Sequence, residues 1–189
     1  MRKVYILRMQ EELSYTVRAG QIKDKRQDFI LCASPRQLAD LAARFGLPAI
    51  ARLEGRFVLQ HERSGVIAAE LAMDALVTQV CVLTLEPFDA TIKDTASLRF
   101  VPEALLRRTS VDAEGDGGDD ITPEALDSPD EIPYVDDTID LGAALAEQLA
   151  LVLDPYPRKP GAVLPEEASD DSASPFAGLA ARLGKPDGG

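Results

Sequence analysis

His61 is the only histidine in the chain, and Cys32 and Cys81 are the only cysteines. An imidazole can act as a general base and a thiolate as a nucleophile, so His61 with Cys81 is the one couple of that kind the composition permits. Nothing in their spacing asks for a meeting. His61 stands beside Glu62 and Arg63 next to a turn, the setting of a solvated surface histidine. One histidine and two scattered cysteines fall short of the roughly four ligands a structural zinc takes. Asp116, Asp119 and Asp120 have the charge of a calcium loop without the spacing of an EF-hand. Gly115, Gly117 and Gly118 sit among those aspartates, which repel phosphate; they follow no strand and open no helix, so they make no phosphate loop. No convergent set of titratable residues can be assembled. The expectation is a protein with no catalytic, cofactor or metal site, one that acts by binding.

Residues that could bind a partner are easier to find. Arg2, Lys3, Arg8, Arg18, Lys23, Lys25 and Arg26 form the only cationic concentration, thinly interleaved with Tyr5, Tyr15 and Phe29. That makes a weak candidate for an RNA-binding face. At the other end, Ser174 to Leu183 reads SPFAGLAARL, with a Ser cap, Pro at the first helical position, and Phe176, Leu179, Ala180 and Leu183 on one side. About ten residues make no stable helix alone. This stretch therefore either docks on its own domain or serves as a helix-in-groove ligand for another protein. Phe176, Leu179 and Leu183, with Tyr156 and Arg158 just after the longest helix, are the candidate partner-binding residues.

The elements that position these residues follow from periodicity. Ile139 to Pro157 reads as an amphipathic helix. Asp140 is its N-cap, Ile139 and Ala144 stand where a hydrophobic staple would stand, and Leu141, Leu145, Leu149, Val152 and Leu153 share one face. Pro155 and Pro157 stop it near Leu153 or Asp154. A second helix opens at Ser34, with Pro35 at the first position and Gln37 completing a capping box. Leu38, Leu41, Ala42 and Phe45 form its stripe, and Gly46 is placed for a left-handed C-cap. Lys3–Met9 reads as a short strand, and Phe29–Ala33 as a buried one. From Ile50 to Val101 the period becomes two. Leu53–His61, Val66–Ala72, Leu76–Leu85 and Ala90–Val101 read as strands, with a turn at Arg63-Ser-Gly65 and Pro87 ending the third. Ile132–Val135 adds a short one. Short links between consecutive strands point to an antiparallel meander. The expected fold is α+β: an antiparallel, curled sheet of about five or six strands, two main helices and a short C-terminal helix.

Length and charge bound the rest. The 189 residues hold one domain plus tails: residues 1–157 as a single α+β domain, interrupted by a flexible acidic loop at 111–130, then an acidic linker and helical motif over 158–189. Residues 1–110 carry 16 Lys and Arg against 13 Asp and Glu; residues 111–189 carry 4 against 19. The first part is near neutral and the second strongly acidic, which argues against the whole chain as a phosphate binder. Two cysteines make no disulfide framework, so free buried thiols in a reducing cytosol are expected. The N-terminus lacks the long apolar core of a signal peptide, and no run approaches the roughly 20 apolar residues of a membrane span. The expected location is the cytoplasm, with no membrane partner.

Three patches, taken in order, carry a family resemblance: VTQVCVLTLEPF at 77–88, TIDLGAALAEQLALVLDPYP at 138–157, and SPFAGLAARLGK at 174–185. Together they resemble the YceD family, the bacterial large ribosomal RNA subunit accumulation proteins. The segment SPRQLADLAARFGLPAI is similar to the form in alphaproteobacterial members. The resemblance implies a non-catalytic part in 23S rRNA accumulation or large-subunit maturation. It implies ribosomal proteins or the large-subunit precursor as partners, with precursor 23S rRNA as a further candidate, and no small-molecule substrate. An adaptor unrelated to ribosomes, using the C-terminal helix as its ligand, is the alternative. The chain departs from the family in places. Many members carry Cys-x-Arg-Cys where this chain has Cys81, Leu83 and Thr84. Many have Pro directly after the helix, where Asp154 stands here. Any zinc role of cysteine-rich members therefore does not transfer.

Overall fold

The computed structural model describes residues 13–106 and 129–163. The expected strand at Lys3–Met9, nearly all of the acidic 111–130 stretch and the C-terminal motif lie outside the described residues.

The elements run β1 (Thr16–Arg18), β2 (Gln27–Cys32), α1 (Pro35–Phe45), β3 (Ala49–His61), β4 (Ile67–Val80), β5 (Pro87–Pro102), β6 (Asp130–Tyr134), β7 (Thr138–Asp140) and α2 (Leu141–Val152), with a helical turn at residues 103–106. Strands β2 to β6 form one sheet in that spatial order, while β1 pairs with β7 in a separate two-stranded ribbon. Pairs β2–β3, β3–β4 and β4–β5 are antiparallel.

The signalled helix ends form as the residues require. In α1, the Ser34 hydroxyl accepts from the Gln37 N–H and the Gln37 side chain accepts from the Ser34 N–H, so both orphan donors are satisfied. Gly46 takes φ 66°, the left-handed cap that a side chain resists. In α2, the Asp140 carboxylate accepts from Gly142 N at 2.9 Å and Ala143 N at 3.1 Å. The same carboxylate also accepts from Tyr15 N at 2.9 Å, and Leu141 N donates to Tyr15 O. One residue thus caps a helix and anchors the N-terminal arm.

Both helices lie on one face of the sheet. Leu38, Leu41 and Ala42 of α1 join a single apolar cluster with Leu141, Leu145 and Leu149 of α2 and with inward residues of β3, β4 and β5. In β4, every second residue from Ile67 to Gln79 is buried. The opposite face is open and carries cross-strand ion pairs: Arg56 with Asp28, Arg52 and Lys93 with Asp74, and Arg26 with Glu70.

Five expectations need correction. The sheet is mixed, because β6 runs parallel to β5. A parallel neighbour needs a long crossover, and the stretch between Pro102 and Asp130 is long enough to make one. Nor is the sheet strongly curled; β2 and β6 remain its two edges. The strands expected at 66–72 and 76–85 are one strand to Val80, because Asp74 continues the outward row and does not break it. Pro87 begins β5 instead of ending its predecessor, a position where its missing N–H costs nothing. Finally, Cys32 is exposed. It shares the outward row of edge strand β2 with Ile30, which is 69% exposed.

Candidate functional site

The hairpin between β4 and β5 turns through Cys81 to Glu86, closed by Cys81 N to Glu86 O and Leu85 N to Cys81 O, both 2.9 Å. Leu85 adopts φ 58°. The left-handed region costs a non-glycine residue about 1–2 kcal/mol, so the turn holds this side chain outward against a backbone preference.

A strap from the end of α2 lies against that turn. Leu153 leaves the helix in extended conformation, and Pro155 and Pro157 prevent its return. Asp154 accepts from Tyr156 N at 2.8 Å, which folds the strap over. The buried Gln79 side chain donates to Asp154 O, and Val82 N donates to Pro157 O at 2.9 Å. Lys159 Nζ reaches Glu86 Oε2 at 2.9 Å. That pairing holds the Glu86 carboxyl below its usual range and pushes the Lys159 ammonium above its own.

Beneath this junction sits the Cys81 thiol, fully buried. Its ordinary value of 9.0 is lowered to about 7, first by a hydrogen bond from the Thr84 side chain, then by backbone N–H groups of Lys159, Thr84 and Leu83, against the opposing effect of burial. The sulfur is thus a shared acceptor for turn and strap. Cys81 and Thr84, three positions apart in the turn, are brought into contact here.

The thiol is buried, and the one histidine lies far from it. His61 is paired with Ile67 at the far end of β4, about 40 Å away at the usual rise per strand residue. There its Nδ1 lies 3.3 Å from Asp24 Oδ1. No group of three His, Cys, Asp or Glu among the described residues is placed to hold a metal ion. On the open face, a hollow of about 480 Å³ is lined by Ile30, Gly55, Arg56, Asp74, Lys93 and Thr95. Its cations Arg56 and Lys93 are paired with Asp28 and Asp74, and Glu54 and Asp94 add negative charge to the lining, so it does not attract a phosphate.

What the end of the sheet does present is apolar surface. The turn and the strap leave Val82, Leu85, Tyr156 and Val163 exposed; Val80 lies in the outward row of β4 and Leu151 on the outer side of α2, across the sheet from it. Tyr156 is 72% exposed and Arg158 is exposed two positions on, so both sequence candidates lie open on the strap. Phe176, Leu179 and Leu183 lie outside the described residues. Of the basic set, Arg2, Lys3 and Arg8 also lie outside, while Arg26 is engaged by Glu70. Sequence reasoning did not single out Glu86, Lys159 or Val82. The only local signal was the opposite charge of Glu86 and Lys159, 73 residues apart.

Fold and surface together describe an α+β domain with one open sheet face and a docked strap beneath an apolar end. The chain belongs to the YceD family: the family model described as "Large ribosomal RNA subunit accumulation protein YceD" matches residues 69–181, more than half of the 189. The match takes in β4, the turn, α2 and the strap. No curated protein and no solved structure matches the chain. No helix among the described residues is long and apolar enough to cross a membrane.

Proposed function

We propose that this protein is a non-catalytic assembly factor of the bacterial large ribosomal subunit. It works in the cytoplasm and sustains 23S rRNA accumulation by holding a ribosomal protein or the precursor particle. The family match over residues 69–181 carries this reading. Two physical features support binding without chemistry. The one perturbed thiol is buried and used as a hydrogen-bond acceptor, and on the open face Arg52, Arg56 and Lys93 are taken up by Asp74 and Asp28 of the same sheet. The strongly acidic residues 111–189 favour a basic ribosomal protein as the direct partner, because opposite fields speed encounter and orient it.

The test is affinity capture of the full chain from bacterial lysate at low salt and at about 0.5 M salt, where screening shortens the range of the acidic field to a few ångströms. Large-subunit proteins or precursor 23S rRNA should be enriched at low salt and depleted at high salt. Recovery of neither at low salt sinks the proposal. Ultraviolet crosslinking followed by sequencing of attached RNA then tells whether RNA is touched directly.

A further inference from the structure

We infer that the apolar cluster at the turn and strap is the docking site of this chain's own C-terminal stripe, Phe176, Leu179 and Leu183. The observation that points there is where the described chain stops. Val163 is 78% exposed and is itself one of the four exposed apolar side chains of turn and strap, with Val82, Leu85 and Tyr156, and 26 residues follow it. The first aromatic beyond it is Phe176, 13 positions on, and a coil of that length has a typical span of about 20 Å. A tether that short sets an effective concentration on the order of millimolar, far above that of a free partner. The tether itself carries Glu166, Glu167, Asp170 and Asp171, and leaves the domain just after the exposed Arg158 and Lys159.

Each side lacks what the other supplies. The stripe is too short to hold a helix alone. The turn spends backbone strain on Leu85 only to leave it 77% exposed. Neither a second copy nor an outside protein has the tether's advantage. This inference stands apart from the ribosomal reading, since it concerns only how the chain closes on itself.

Amide hydrogen exchange on the full chain tests it, comparing the parent with the triple variant Phe176→Ser, Leu179→Ser, Leu183→Ser. Residues 82–86 and 154–160 should exchange at least about tenfold faster in the variant, while the centre of β4 is unchanged. Equal exchange overturns the proposal. So does protection that vanishes on dilution together with a dimer, which assigns the surface to a second copy. The converse arm places Leu85→Asp in the full chain and follows tryptic cleavage after Arg182, which should quicken at least about tenfold. Should Leu85→Asp fail to fold, Tyr156→Ser takes its place. Unchanged cleavage in a folded variant overturns the inference and leaves the cluster to an outside partner.

Discussion

Leu145 occupies the space that a side chain at position 55 would need. A Cβ built on Gly55 would stand 2.8 Å and 2.9 Å from the two methyl carbons of Leu145. Leu145 is itself fully buried in the common cluster, so it has little room to retreat. The helix therefore sits on the sheet at a depth set by the missing side chain of one glycine. Gly55→Ala should destabilise the domain by about 1–3 kcal/mol through overpacking. The loss should be smaller when Leu145 is already Ala, although Leu145→Ala alone costs about 2–5 kcal/mol. Denaturant melts of the two single variants and the double variant give the coupling; additive losses would mean the two residues do not press on one another.

The same face predicts a contrast along α2. Leu145→Asp places an unpaired charge among buried leucines and should abolish the cooperative thermal transition. Leu151→Asp, at a position 67% exposed, should shift Tm by no more than a few degrees. Circular dichroism melts check both. A normal melt for Leu145→Asp would show that α2 is not seated as described.

Asp140→Ala removes the α2 cap and the two bonds from Tyr15 N and the Ser14 hydroxyl together. A cap alone is worth about 1 kcal/mol. With the arm released as well, the expected loss is about 2–3 kcal/mol. Ser34→Ala, which removes only a cap, should cost about 1 kcal/mol in the same denaturant titration.

The Cys81 thiol gives a pH dependence with a definite sign. Its folded value near 7 lies below its ordinary value of 9.0, so between those values the unfolded chain binds more protons. Stability should rise with pH across that window, level off above it, and lose the contribution as pH falls through 7. Cys81→Ser or Thr84→Val should flatten the slope of Tm between pH 7 and 9. A slope unchanged by both substitutions would exclude the thiol as its source.

What could be read from the sequence was whatever is local. The Ser34 to Gln37 box, the Gly46 cap and the Asp140 cap each depend on residues a few positions apart, and each forms. The seam of Leu141, Leu145 and Leu149 follows from period alone, and all three are fully buried. What escaped depends on distant partners. The direction of β6 is set by the crossover before it, which carries no periodic signal. The run through Ala72, Met73 and Asp74 looked like a break because a charge on an open face resembles a turn. Cys32 reads as buried because a sheet edge is not marked in its own strand. The turn and strap meet across 73 residues, so neither announces the other.

The arm held by Asp140 has a consequence for synthesis. Tyr15 and Asp140 are 125 positions apart, and among the described residues β1 pairs only with β7. The antiparallel core from β2 to β5 can pair as it emerges, but the N-terminal arm must wait for nearly three quarters of the polypeptide to be made. Such a high contact-order closure is slow and comes last, so the nascent chain carries an unlatched arm until translation has passed α2.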